Sequence, residues 1–203
     1  YEVPIHLEGY DPTYKGHQGQ IKKAATLIKN AKRPLIIAGA GVLKSGAMDE
    51  LKELAEKAQI PVTNTLVGLG GFPGNHELAL GMVGMHGSVA ANNSTEEADL
   101  VIAAGIRFHD RITGHPDFFC KKAKIIHIDI DPAEIDKNVT INVPIVGDLK
   151  RVLSELNTLV EPTTHEAWIA QIREWQAEYP MVIPESKDGV LHPQYVLSEL
   201  NKI

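Results

Sequence analysis

The sequence has 203 residues, of which 43% are hydrophobic and 23% are charged, and its formal net charge is −6. This composition is typical of a soluble globular domain, and it excludes a disordered chain, a collagen and a disulfide-rich scaffold. Against 26 Asp and Glu residues, 20 Lys and Arg residues provide no basic field for nucleic acid. No apolar run approaches the roughly 20 residues that span a bilayer, so we expect neither a nucleic-acid nor a membrane partner.

The ends of the chain and its cysteine content predict its context. The first residues carry neither a basic start nor an apolar signal segment. The single Cys120 cannot form an internal disulfide, which favours a reducing compartment. The chain begins at Tyr1 rather than Met and ends at Ile203, part-way through a predicted helix, so we expect an excerpt of a longer protein.

Helices and strands alternate from the start of the predicted domain. Pro and Gly interrupt residues 1–17, which we interpret as a linker or arm. Apolar residues at helical spacing predict a helix over 20–31. The continuous apolar run at 35–38 is typical of a strand buried on both faces of a parallel sheet, and glycines follow it. A helix over 47–59 and a strand over 60–66, again followed by glycines, repeat the pattern.

The second half of the chain continues this alternation. It predicts a short strand at 78–80, a helix over 88–98, strands over 100–104, 124–131 and 143–146, and a helix over 149–160. Together these elements predict an α/β fold: a doubly wound, mostly parallel, Rossmann-like sheet of five or six strands with helices on both faces. We expect this domain to span 18–160. A helix ending at Glu178 and a last helix opening at His192 follow it, and the segment from Gln194 onward fits no core of this domain.

The loop after the first strand is the first candidate for ligand binding, because ligands of doubly wound sheets bind beyond the carboxyl ends of the strands. Gly39, Ala40 and Gly41 would let backbone and helix N-terminal N–H groups approach a phosphate. The third glycine of the dinucleotide fingerprint is missing, and residues 63–65 lack the expected acid, which disfavours NAD. The alternative is that both glycines only permit a tight strand-to-helix turn.

A second candidate is the stretch without periodicity that follows the strand at 100–104, since long irregular loops are usually functional. Arg107 and Arg111 stand four residues apart there and suit the forked recognition of a diphosphate. The alternative is that both arginines pair with Asp110, Asp117 or other surface acids.

The third candidate lies at the end of the strand predicted over 124–131. The carboxylates of Asp129 and Asp131 are placed either to accept ribose hydroxyls or to cap a short helix after Pro132. Upstream, Met85 and His86 could lie against a planar ring, although His86 alone is also typical of a capping or packing residue.

Signals for metal binding and catalysis are missing from the sequence. The histidines and Cys120 have no spacing typical of a metal site. The sequence also contains no Gly-x-Ser-x-Gly elbow and no distinctive carboxylate pair. We therefore predict no metal site and no catalytic residue in this chain.

Four segments in order resemble the central domain of the large catalytic subunit of acetolactate synthase, also called acetohydroxyacid synthase. They are PVTNTLVGLG at 61–70, GMVGMHG at 81–87, GIRFHDRITG at 105–114 and HIDIDPAEI at 127–135. The resemblance covers 18–203 and implies a three-domain thiamine-diphosphate enzyme whose middle, FAD-binding domain is this chain. Residues 161–203 would then be a linker helix and the opening helix of a truncated thiamine-diphosphate-binding domain.

The resemblance also implies the activity of the parent enzyme. It would decarboxylate pyruvate and condense the product with pyruvate or 2-ketobutyrate, the first common step to valine, leucine and isoleucine. Absent N- and C-terminal domains would bind thiamine diphosphate and Mg²⁺, while the FAD would be structural. The parent would be a cytoplasmic homodimer or tetramer with a regulatory subunit, and this chain alone would lack catalytic residues.

Positions that match the family's FAD contacts occur in every candidate loop. They are Gly39, Ala40, Gly41, Thr65, Leu66, Val83, Gly84, Met85, His86, Gly105, Arg107, Arg111, Ile112, Asp129, Ile130, Glu134, Gly147 and Asp148. Met85, Asp110 and Arg111 also match positions at the family's substrate channel. His109 replaces the usual first acid of the family's Phe-Asp-Asp-Arg pattern, so no role is carried over to it.

Two other classes of function remain open. One is a nucleotide-binding module for ADP or NAD, like the central domains of other thiamine enzymes, and the other is a scaffold domain that binds nothing. For the isolated chain we expect a monomer or a weak dimer formed through an exposed apolar face of Trp168, Ile172 and Trp175.

Overall fold

The protein is described by a computed structural model that covers residues 12–184 and 189–202. Its six strands are β1 (Pro34–Ala38), β2 (Val62–Asn64), β3 (Ala79–Met82), β4 (Leu100–Ala104), β5 (Lys124–Asp129) and β6 (Val143–Val146). They form one parallel sheet in the order β3-β2-β1-β4-β5-β6. This order, in which the chain moves outward from β1 to β3 and restarts at β4, confirms the predicted doubly wound α/β fold.

Helices cover both faces of the sheet. They are α1 (Gln18–Asn30), α2 (Ala40–Ser45), α3 (Met48–Ala58), α4 (Val89–Glu97), α5 (Asp110–Thr113), α6 (Leu149–Leu159), α7 (Glu166–Glu178) and α8 (Pro193–Leu200). Along β1 and β4 the side chains alternate between two separate apolar cores, because successive residues of a strand point to opposite faces. One core lies under α1, α3 and α6, and the other lies under α4 and α7.

Several predicted bounds were wrong where a turn replaces regular structure. The strand predicted over 60–66 is confined to β2, because a 3₁₀ turn begins at Leu66. The strand predicted over 124–131 ends at Asp129, where a capped turn follows. The short helix α2 was not predicted; it ends at Ser45, and the left-handed φ of 64° at Gly46 separates it from α3. The predicted arm over 1–17 lies mostly outside the described residues.

The prediction of an exposed apolar face on the helix now numbered α7 was wrong. Trp168 is 4% exposed and Ile172 is 2% exposed, and both belong to the core beneath α4 and α7. The Trp168 Nε1–H group donates a hydrogen bond of 3.0 Å to the carbonyl of Pro34 in β1. The apolar stripe therefore closes one face of this sheet instead of offering a surface to a second copy.

The last helix differs from α7 in its surroundings. Leu197 and Leu200 of α8 are 66% and 60% exposed, in agreement with the expectation that this segment joins no core of the domain. None of the helices in the described part of the chain is both long enough and apolar enough to cross a membrane.

Candidate functional site

The candidate site lies at the carboxyl ends of β1 and β4, where the strand order reverses direction. In sheets of this class the crevice at that point is the usual place for a nucleotide. The loops after all six strands open toward this edge, since every strand pair is parallel. Every residue predicted to contact the cofactor belongs to one of these loops, to the helical turns that follow them or to the last residue of a strand.

Three glycines bring the loops after β1 and β4 into direct backbone contact. The Gly41 N–H group donates to the Gly105 carbonyl at 3.0 Å. A Cβ on Gly41 would lie 2.6 Å from the Gly105 Cα, and one on Gly39 would overlap the Gly105 carbonyl oxygen. Gly105 itself has a φ of 60°, which favours glycine. Glycine is therefore required at these positions because two loops pack together there. This explanation adds to the two considered from the sequence, phosphate binding and a tight strand-to-helix turn.

The loop after β3 reaches the loop after β4. The Met85 N–H group donates to the Arg111 carbonyl at 2.9 Å. Gly84 has a φ of 105°, and a Cβ there would overlap the same carbonyl oxygen. The side chain of Met85 is 64% exposed, and His86 is exposed as well. The structure thus joins the two segments and leaves the side chains of Met85 and His86 exposed at the surface.

Both arginines have acidic neighbours, as in the alternative interpretation. The Arg107 Nε atom lies 3.8 Å from Glu134 Oε1, and the Arg111 Nη1 atom lies 3.2 Å from Asp110 Oδ2. The two arginine side chains are 58% and 70% exposed, and exposed ion pairs contribute little stability. The guanidinium groups can therefore exchange these partners for a bound anion.

Of the two roles considered for the carboxylates at the end of β5, capping a turn and accepting ribose hydroxyls, the structure assigns the first to Asp131 and leaves the second open to Asp129. Asp131 Oδ1 accepts a hydrogen bond of 2.9 Å from the Ala133 N–H group and so caps the turn after β5. Asp129 Oδ1 accepts from the Asp131 N–H group at 2.9 Å, which leaves Oδ2 for a ligand hydroxyl. Asp148 caps α6 by accepting from the Arg151 N–H group at 3.1 Å. Asp131 and Asp148 therefore have structural duties, and Asp129 retains an acceptor.

Two buried polar atoms at the end of β2 lack a partner within the described residues. They are the Thr65 hydroxyl oxygen and the Asn64 Oδ1 atom, in residues that are 2% and 3% exposed. The Thr65 N–H group donates to the Ala38 carbonyl at 2.9 Å, so Thr65 stands beside the end of β1. Buried polar groups are normally hydrogen-bonded, and a polar ligand at this edge would give the Thr65 hydroxyl a partner, whereas Asn64 lines a separate cleft beside α3. The residues present therefore fit a nucleotide cofactor.

Sequence reasoning missed His127, which it considered only as a metal ligand. His127 is fully buried, its Nε2 atom lies 2.9 Å from the Ile106 carbonyl oxygen, and its ring meets the edge of Phe108 at 5.0 Å. Burial lowers the pKa of His127, so the neutral ring donates Nε2–H to that carbonyl. His127 thereby ties β5 to the start of the loop that carries Arg107. The place of His127 in a strand with four successive buried residues indicates its burial but not this partner.

A cleft of about 280 Å³ lies to one side of the candidate site. It is bounded by α3, the ends of β2 and β3 and the loop at 69–74, and Asn64 lines it. None of the residues predicted to bind the cofactor lines this cleft, so it does not define the candidate site. Across the described ranges, no group of three or more His, Cys, Asp or Glu side chains could hold a metal ion.

The strand order and the loops at its reversal define an α/β domain with a Rossmann-like fold. The family described as the central domain of thiamine pyrophosphate enzymes matches residues 21–156, and the chain belongs to this family.

Among known proteins, the chain is 49% identical over 209 residues to a probable acetolactate synthase large subunit of Methanocaldococcus jannaschii. It is 46% identical over 208 residues to an acetolactate synthase of Mycobacterium avium and 39% identical over 211 residues to the large subunit from Haemophilus influenzae. These matches cover 98% to 100% of this chain. The chain spans about a third of the length of these relatives, between 33% and 37%.

Proposed function

We propose that this chain binds FAD at the carboxyl ends of β1, β4 and β5. The observation that carries the proposal is the unpartnered Thr65 hydroxyl, buried at the end of β2 beside the point where the strand order reverses. A buried hydroxyl without a partner is costly, and a polar ligand would remove that cost. The nearby arginines supply the positive charge that a diphosphate requires.

Each predicted contact receives a role from its chemistry. Arg107 and Arg111 would hold the diphosphate beside the loop at 39–41. The glycines of that loop permit close approach, while their N–H groups already donate to the carbonyls of Ala104 and Gly105. The carboxylates of Asp129 and Glu134 would accept ribose hydroxyls. The exposed Met85 and Leu66, with His86, would lie against the flavin ring. The remaining contacts would be made by the backbone of neighbouring positions, namely Val83, Gly84, Gly105, Ile112, Ile130, Gly147 and Asp148. Bound FAD would serve a structural purpose without net redox chemistry.

For the longer protein we propose the activity of acetolactate synthase. Residues 18–160 would be its central domain, and 161–203 would lead into a domain that binds thiamine diphosphate with Mg²⁺. Its substrates would be pyruvate and 2-ketobutyrate, with Met85, Asp110 and Arg111 near the substrate channel. The names of the relatives and the one-third coverage of their length support this proposal. A cytoplasmic homodimer or tetramer with a regulatory subunit completes it.

The test is a fluorescence titration of the purified chain with FAD. We expect Arg107→Ala to weaken binding at least tenfold, because a charge-assisted hydrogen bond contributes about 1.5–3 kcal/mol. Arg173→Ala is the matched control, since Arg173 on α7 is similarly exposed at 63% and also lies near an acid, at 3.9 Å from Glu77. The control should leave FAD affinity unchanged.

Parallel titrations with ADP and NAD decide between the classes of function. Tighter binding of NAD than of FAD would favour an NAD module and refute the proposal. Binding of none of the three would favour a scaffold domain. An equal loss of FAD affinity in Arg107→Ala and Arg173→Ala would show that Arg107 acts only through the net charge of the chain.

A further inference from the structure

The side chain of Asn92 holds one residue of the candidate site from both sides. Its Oδ1 atom accepts from the Gly84 N–H group at 2.9 Å, and its Nδ2 group donates to the Gly84 carbonyl at 3.0 Å. Asn92 lies within α4, where asparagine is a poor helix former. Its presence is better explained by these two hydrogen bonds than by the stability of the helix.

The same contact continues from Gly84 to the arginine loop. Gly84 needs its φ of 105° and its missing Cβ in order to pass the Arg111 carbonyl. The next residue, Met85, donates its N–H group to that carbonyl at 2.9 Å. Two side-chain hydrogen bonds from Asn92 to Gly84 and one backbone hydrogen bond from Met85 to Arg111 thus connect α4, the loop after β3 and the loop after β4.

The two ends of this chain differ in how firmly they are held. Asn92 belongs to α4, and the residue before it, Ala91, is fully buried in the core under α4 and α7. Arg111 belongs to α5, which has only 4 residues, and its side chain is 70% exposed and pairs with the adjacent Asp110. The helix, anchored in the core, can therefore fix the position of the exposed loop.

We propose that Asn92 is a positioning residue that fastens the loops after β3 and β4 into one unit and so sets the backbone of Arg111 toward FAD. This inference rests on the proposed function and adds a residue that touches no ligand. It makes the segment at 83–86 and the arginine loop move together, so that a change in one alters the other.

The first test measures the fastening without any ligand. Hydrogen exchange at the Gly84 and Met85 amides should accelerate at least tenfold in Asn92→Ala. Asn93→Ala is the matched control, because Asn93 is the next residue of α4, is also partly buried and makes no side-chain hydrogen bond within the described ranges. The control should leave both exchange rates unchanged, and unchanged rates in Asn92→Ala would overturn the inference.

The second test measures FAD affinity in combination with Arg111. Asn92→Ala should raise the FAD Kd about tenfold, a change equivalent to about 1.4 kcal/mol. In an Arg111→Ala background the same substitution should have a smaller effect, limited to the contacts of residues 83–86, since residues in one network are not additive. An equal loss in both backgrounds would show that Asn92 does not act through Arg111 and would overturn the inference.

Asn92→Asp keeps the test decisive if Asn92→Ala does not fold. At neutral pH its carboxylate can still accept from the Gly84 N–H group but repels the Gly84 carbonyl, so FAD binding should weaken relative to the unmodified chain. The difference in FAD affinity between Asn92→Asp and the unmodified chain should narrow as the pH falls toward the ordinary Asp pKa of about 3.9. A protonated carboxyl at position 92 can then donate to the Gly84 carbonyl again. A difference that is independent of pH would overturn the inference.

The two proposals fail in different ways. If the unmodified chain takes up no FAD, the proposed function and the ligand named here are both overturned, whereas faster exchange in Asn92→Ala still supports the fastening. If Arg107→Ala weakens FAD binding but Asn92→Ala does not, the proposed function stands and the role of Asn92 is overturned.

Discussion

Replacement of Gly41 by alanine sets two physical effects against each other. Gly41 lies in the short helix α2, where alanine is favoured over glycine by up to about 1 kcal/mol. The new Cβ, however, would stand 2.6 Å from the Gly105 Cα and 3.0 Å from its carbonyl oxygen. Both neighbours are backbone atoms, so no change of rotamer relieves the contact, and the loops after β1 and β4 must separate.

The contact outweighs the helix propensity. Overpacking of this kind costs about 1–3 kcal/mol. Separation of the loops also weakens the 3.0 Å hydrogen bond from Gly41 N–H to the Gly105 carbonyl, which contributes about 1 kcal/mol. After the gain in propensity is subtracted, Gly41→Ala should lower the free energy of unfolding by about 2 kcal/mol. In a chain of this size that corresponds to a Tm lower by roughly 4–8 °C.

Thermal and urea unfolding followed by circular dichroism measure this change. Gly74→Ala is the control, because a Cβ on Gly74 meets no atom within 4 Å and its backbone is not left-handed. The control should alter the free energy of unfolding by less than about 0.5 kcal/mol. A Gly41→Ala variant as stable as the unmodified chain, or more stable, would refute the assigned contact between the loops.

Three further predictions concern buried side chains. Trp168→Ala should lower the free energy of unfolding by about 3–5 kcal/mol in urea titrations, because it empties the core under α7. Burial lowers the pKa of His127 in the folded chain below its ordinary value of 6.5, so the unfolded chain binds more protons than the folded chain. The stability that this shift provides is fully present above pH 6.5 and is lost as the pH falls toward the folded pKa. The slope of urea midpoint against pH should be smaller in His127→Gln, which can still donate to the Ile106 carbonyl but does not titrate. Burial raises the pKa of the Cys120 thiol, so mass spectrometry should detect alkylation by iodoacetamide only after unfolding.

The strands could be predicted from the sequence because burial on both faces leaves a local signal. β4, which is buried at every position, was predicted with the bounds that the structure shows, and so was β6, whose residues alternate between buried and half-buried. The apolar stripe of α7 was visible as well, but its pattern does not state what covers it. Only the structure shows Trp168 donating to Pro34, a contact between residues 134 positions apart.

The candidate site was predictable as a set of loops and not as a set of contacts. Strand ends mark where the loops begin, so Arg107 and Asp129 could be assigned to one edge of the sheet. The partner of Arg107 lies on another strand's loop, which is why the approach of Glu134 to Arg107 was not foreseen. Asn92 was missed for the same reason, because an asparagine inside a helix gives no sign of the loop that it holds.

The glycines of the site show that its shape does not depend on a ligand. Gly41 and Gly84 are each required by a neighbouring loop of the same chain, at Gly105 and Arg111. These contacts are backbone against backbone, so they fix the loops before any ligand is present. Loops that are fixed before binding lose less conformational entropy when a ligand binds. A glycine that packs two loops together therefore also serves a ligand that it need not touch.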